Sequence, residues 1–140
     1  MEAILARALP AHRVALVMQF LRFGVVGGCG WVVDTATVYA TKDFIGVQAA
    51  GVPAYLTAAT CNWALNRVWT FRGQGSGPMH RQWAAFLATN LVGFAANRGA
   101  YELLVTFSDL CAAYPILATA AGAFAGMVPN FVLSRRVVFR

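Results

Sequence analysis

Asn62-Trp63-Ala64-Leu65-Asn66-Arg67-Val68-Trp69-Thr70-Phe71-Arg72 returns 68 residues later, from 62 to 130, as Asn130-Phe131-Val132-Leu133-Ser134-Arg135-Arg136-Val137-Val138-Phe139-Arg140. In each copy an asparagine follows a long apolar run, an arginine comes five residues on, and a Phe-Arg pair closes the segment. A recurrence of this kind says that the chain is built twice, and a duplication has to be read before any single element is assigned. An apolar run that gives way to arginine and tryptophan is also how a helix leaves a membrane.

Composition supports that reading. The chain has 140 residues, of which 59% are hydrophobic and 11% charged; soluble domains carry about 25% charged residues. The formal charge of +6 comes almost wholly from arginine. Because the arginines separate apolar runs instead of forming one basic face, they suit an anionic membrane surface and not a nucleic acid. Cys29, Cys61 and Cys111 have no Cys-x-x-Cys or Cys/His spacing and read as small apolar packers. His12 and His80 are isolated, so no metal and no other cofactor is expected. A signal peptide is not expected either, because Glu2, Arg7 and Arg13 precede the first run without a small-residue cleavage site.

Four runs have the length a bilayer crossing needs, about 20 residues. They extend over residues 21–41, 47–65, 83–107 and 114–133. Residues 1–19, with Pro10 among Arg7, His12 and Arg13, read as a cytoplasmic interfacial segment. Residues 20–72 form a first two-helix repeat, the Gly/Ser-rich stretch 73–81 a cytoplasmic linker, and residues 82–140 a second repeat. Pro129, inside the last run, predicts a kink or a frayed turn. The fold expected is an all-α membrane protein with four transmembrane helices built from two parallel two-helix repeats.

The first helices of the halves align when Phe23 is set on Phe86, which places Gly30 opposite Gly93, Trp31 opposite Phe94 and Asp34 opposite Asn97. Arg7, Arg13 and Arg22 precede the first run, Arg67, Arg72 and Arg81 lie between the halves, and Arg135, Arg136 and Arg140 follow the last run; Lys42 alone marks the other side. The positive-inside rule then puts both termini and the linker in the cytoplasm.

Within the runs, Asp34 carries a charge that costs roughly 2.5 to 3.5 kcal/mol on insertion scales. Arg98, at similar depth, is its expected partner, and Glu102 lies one turn from Arg98. These charges either lock helices together or line a polar path. Asn90, Gly93, Asn97 and Tyr101 recur at helical spacing and serve either that path or interhelical hydrogen bonds. Gly24-x-x-x-Gly28 and Ala118-x-x-x-Gly122-x-x-x-Gly126 are helix-contact patterns that also allow a dimer. Arg67 and Arg135 are either lipid-headgroup anchors or, through their paired N–H donors, phosphate ligands. No nucleotide loop, Ser/His/Asp set or hydrolytic acidic pair occurs, so no enzyme is expected.

Arg22-Phe23-Gly24-Val25-Val26-Gly27, the segment from Asn62 to Phe71 and its echo from Asn130 to Phe139 resemble the GtrA-like family of small four-span membrane proteins, over nearly the whole chain from Phe20 to Arg140. The resemblance implies a flippase that moves a polyprenyl-phosphate-linked sugar across the cytoplasmic membrane for surface polysaccharide or lipopolysaccharide modification. It implies a phosphate site at Arg67 and Arg135 with Asn62, Asn66 and Asn130, and a sugar path along Asp34, Asn90, Asn97, Arg98 and Glu102. Trp69, Trp83 and Tyr39 would stack on sugar or anchor in the interface. Membrane lipids are the other partners, and a homodimer is expected because four short spans make a thin bundle. A membrane scaffold that recruits a glycosyltransferase is the first alternative. A small proton-coupled exporter built on Asp34 is the second, with Arg98 counting against cationic cargo.

Overall fold

The computed structural model describes residues 10–75 and 77–140. Over these residues the chain is helical, without a strand. Helix α1 (Ala11–Ile45) begins directly behind Pro10 and ends at Gly46, whose φ of 81° is open to a residue without a Cβ. The Gly46 N–H reaches back to Lys42 O at 2.9 Å, and Lys42 itself places a cation in the last turn, where the helix end is partially negative. Helix α2 (Val47–Leu65) follows and widens into a π turn over Asn66–Thr70. Helix α3 (Met79–Phe107) leads to the short α4 (Asp109–Ala113), capped by Ser108 Oγ accepting from Cys111 N. Helix α5 (Pro115–Leu133) has proline at its first position and a second π turn over Ser134–Val138.

Residues 11–19 of the expected interfacial segment form the opening turns of α1; residues 1–9, Arg7 among them, lie outside the described residues. The linker expected over 73–81 gives way to helix at Met79. The chain divides into two compact units, Met1–Gln74 and Gly75–Arg140, at that same glycine-rich stretch. In the first unit α1 packs along α2; in the second α3 packs along α5.

The buried positions of the two units keep constant register. Phe23, Val26 and Gly30 of α1 correspond to Phe86, Thr89 and Gly93 of α3, each 63 residues on. Ala50, Ala54 and Ala58 of α2 correspond to Ala118, Gly122 and Gly126 of α5, each 68 on. The two intervals differ by the 5 residues of α4. Spacing of four residues sets each row on one helix face. Small side chains in both rows let the backbones close, since a Cβ on Gly126 would come 2.6 Å from Gly93 O and one on Gly122 2.8 Å from Asn97 O. The Ala118-Gly122-Gly126 pattern is thus used inside the second unit.

Two stretches, α1 and the continuous Pro115–Val138, are long and apolar enough to cross a membrane on length and composition. Helices α2 and α3 also reach membrane length, about 29 and 43 Å at helical rise; α2 holds Gln48 and Asn62 but no charged residue, and α3 holds Asn90, Asn97, Arg98 and Glu102. Over the described residues the chain is all-α, and two of its helical stretches have the length and apolarity of a membrane crossing.

Candidate functional site

Both copies of the repeated motif end in the same local structure. Asn66 O accepts from Phe71 N at 2.7 Å, and Ser134 O from Phe139 N at 2.9 Å. These five-residue bonds widen the turn so that two adjacent residues, Thr70 with Phe71 and Val138 with Phe139, are all buried. Phe71 meets Phe23 edge-on with ring centroids 6.2 Å apart, and Phe139 meets Phe86 at 6.3 Å. Offset edge-to-face geometry is the favoured one for such rings. Turns of this wide kind are rare and occur often at functional sites.

Above each turn an asparagine rests on a glycine of the facing helix. The space of a Cβ on Gly30 is taken by the Asn62 amide, and that of a Cβ on Gly93 by the Asn130 amide. Asn130 Nδ2 also donates to Asn90 Oδ1 at 3.2 Å, while Asn90 Nδ2 donates to Phe86 O at 2.8 Å. At this seam Asn90 acts as an interhelical contact. Asn97 lies against Gly122 and Gly126, so it too borders the α3–α5 seam.

Of the residues expected to hold phosphate, Arg67 is half-buried and Arg135 exposed, while their neighbours Asn66 and Ser134 are buried to 1% exposure. Asn66 Oδ1 and Ser134 Oγ have no hydrogen-bond partner in the protein. Each closure therefore has an arginine next in the chain to a residue with a buried, unpartnered polar atom. Of the charges within the spans, Asp34 is half-buried. Arg98, expected to answer it, donates to Glu102 Oε1 at 2.7 Å within its own helix and lies 5.3 Å from the Tyr101 ring centroid. The pair is 55% and 60% exposed, so these charges point away from the α3–α5 seam and not into it.

Gln19 and Gln82 escape a reading of charges and motifs, although they stand 63 residues apart, the spacing that aligns Phe23 with Phe86. Gln19 Nε2 donates to Thr70 O and Gln74 Oε1, both at 3.2 Å, and Gln82 is buried with its amide beside Gly75. Gln19 thus ties the first closure to α1, while Gln82 sits beside Gly75, which also lies close to Phe139. Among the described residues no three His, Cys, Asp or Glu side chains converge as metal ligands.

A search of curated proteins finds no match to the chain. The family model of the GtrA/DPMS transmembrane domain matches residues 22–139. That span takes in both Gly–Asn seats, both π turns and both Phe–Phe contacts, and the chain belongs to the GtrA/DPMS transmembrane-domain family.

Proposed function

We propose that the chain moves a polyprenyl-phosphate-linked sugar across the cytoplasmic membrane. Membership of the GtrA/DPMS family supports involvement in lipid-linked sugar translocation. The observation that carries the finer reading is the pair of like closures, in each of which an arginine, Arg67 or Arg135, directly follows in the chain a buried residue with an unpartnered polar atom. In this reading all four long helices cross the bilayer as two duplicated pairs in parallel, with both closures and both termini at the cytoplasmic face. The guanidinium groups hold the phosphate there through paired N–H donors. Asp34, Arg98 and Glu102 meet the sugar, with Asn90 and Asn97 along the α3 side of the path. A homodimer belongs to the same reading, with the open Gly28 surface of α1, where a Cβ would meet nothing within 4 Å, available as its contact.

A membrane scaffold for a glycosyltransferase is the second reading, favoured by one observation: Asn90 and Asn97 are engaged with α5, which suits a packed bundle. Transbilayer movement of a labelled glycolipid in vesicles containing the purified chain separates the two.

A further inference from the structure

In the first unit three buried acceptors have no donor in the protein: Asn62 Oδ1, Asn66 Oδ1 and Thr70 Oγ1. They stand four residues apart, on one face of α2 and its π turn. Asn66 is 1% exposed and Thr70 4%. Native structures leave few such groups unpaired, because a buried acceptor without a donor is costly. The buried residues of α1 near them are Phe23, Val26 and Gly30, none of which has a side-chain donor.

Both ends of this row are polar. At one end Gln19 Nε2 donates to Thr70 O. At the other, Asn62 rests on Gly30, and Asp34, half-buried, lies one helical turn beyond Gly30 on the same face of α1. From Thr70 to Asn62 and on from Gly30 to Asp34 the row covers about 18 Å at helical rise, over half of the roughly 30 Å of hydrocarbon in a bilayer.

The second unit interrupts the same row. Asn130 Oδ1 and Ser134 Oγ are likewise unpartnered there, but Val138 stands where Thr70 would be and Asn97 where Asp34 would be. Only the first helical pair joins a closure to a carboxylate.

We propose that the first pair carries a file of water from its Thr70 end to Asp34, with Asn62, Asn66 and Thr70 as the acceptors along it. Water, at once donor and acceptor, fits both these acceptors and the unpartnered buried donor Trp63 Nε1, next to Asn62 in the chain. The row is too buried to admit a sugar, and acceptors set a full turn or more apart do not converge on one metal ion as a coordination shell must. Water in polar, enclosed sites bonds to groups the protein leaves unpaired. The file solvates a carboxylate that hydrocarbon would penalise and puts Asp34 in proton exchange with the compartment at the Thr70 end. The elements packed on α1, namely α2 and the π turn, carry Tyr55, Cys61 and Arg67 as their titratable or charged groups. The inference goes beyond the glycolipid reading and does not depend on whether a glycolipid moves.

Silver ion, a small thiol-reactive cation that travels through water, tests the file. The reporter is Asp34→Cys in a chain whose Cys29, Cys61 and Cys111 are replaced by alanine, sealed in vesicles, with later maleimide labelling as the readout. Silver is expected to block the introduced thiol, and adding Asn66→Leu is expected to slow the block by about tenfold or more. Ser134→Leu, at the matching place in the second unit, is expected to leave the rate unchanged. Equal rates with and without Asn66→Leu, no reaction of the introduced thiol with silver, or equal slowing by Ser134→Leu would overturn the proposal. If Asp34→Cys does not yield a monodisperse protein, Asn62→Cys is the reporter and the same comparisons apply. The side from which silver enters reports the orientation of the pair, so a failure of the proposed topology is distinguishable from a failure of the file.

Discussion

Asn130 covers Gly93 so closely that a single Cβ there would overlap its amide, and Asn62 covers Gly30 in the same way. Each seat fixes the register of its helical pair, since sliding by one residue would carry the asparagine off the glycine. Gly93→Ala is therefore expected to cost about 1–3 kcal/mol through overpacking, and Asn130→Ala is expected to relieve part of that cost when combined with it. Thermal unfolding of the two single variants and the double variant in detergent measures the coupling. Strictly additive effects would show that the two residues do not meet.

Phe71 and Phe139 are 0% and 1% exposed and touch Phe23 and Phe86. Truncating either to alanine is expected to cost about 3–5 kcal/mol, the range for a lost core aromatic. Phe71→Leu, which keeps most of the volume, should lose clearly less. The same unfolding measurement ranks them, and equal losses for leucine and alanine would mean that the ring contact, not the filled volume, dominates.

The Arg98–Glu102 pair is exposed on both sides. Where water reaches it, as a polar path requires, an i,i+4 pair contributes under about 1 kcal/mol, whereas breaking a pair closed off from water costs about 3–5 kcal/mol. Glu102→Gln is accordingly expected to leave the melting temperature in detergent nearly unchanged. A large drop would assign these charges to locking the helices together.

Much of this architecture is legible in the sequence because duplication doubles every signal. The recurrence of Asn62 to Phe71 at Asn130 to Phe139 marks both closures, and the alignment of Phe23 with Phe86 carries Gly30 onto Gly93. What pattern alone does not reveal is that these two alignments meet in space, each asparagine on its own glycine, because that contact joins residues on two different helices, far apart in sequence. The π turns are equally hidden: one five-residue hydrogen bond leaves no mark in helical periodicity. Polarity also conceals roles. Asn90 and Asn97 have the spacing of a polar path, yet an amide serves helix packing just as well, and only the structure shows that both border the α3–α5 seam, Asn90 bonded to Asn130 and Asn97 against Gly122 and Gly126.

Arginine and lysine at the closures separate the two uses of a basic residue at a membrane face. A headgroup anchor needs only charge, while paired N–H donors to phosphate need the guanidinium. Arg67→Lys and Arg135→Lys are expected to weaken binding of a polyprenyl phosphate by about tenfold, in the range of a lost hydrogen bond to a charged group. Inorganic phosphate and anionic phospholipid serve as competitors in the same binding measurement. Lysine variants that bind as tightly as the wild type would reduce both arginines to anchors.

The central claim is that this chain moves a lipid-linked sugar, and its most direct test is transbilayer movement of a labelled polyprenyl-phosphate sugar in vesicles containing the purified protein. The account predicts that wild-type protein accelerates movement well above protein-free vesicles and that Arg67→Ala with Arg135→Ala removes the acceleration while the protein stays folded. Movement no faster with the protein than without it would contradict the account and leave the scaffold reading in its place.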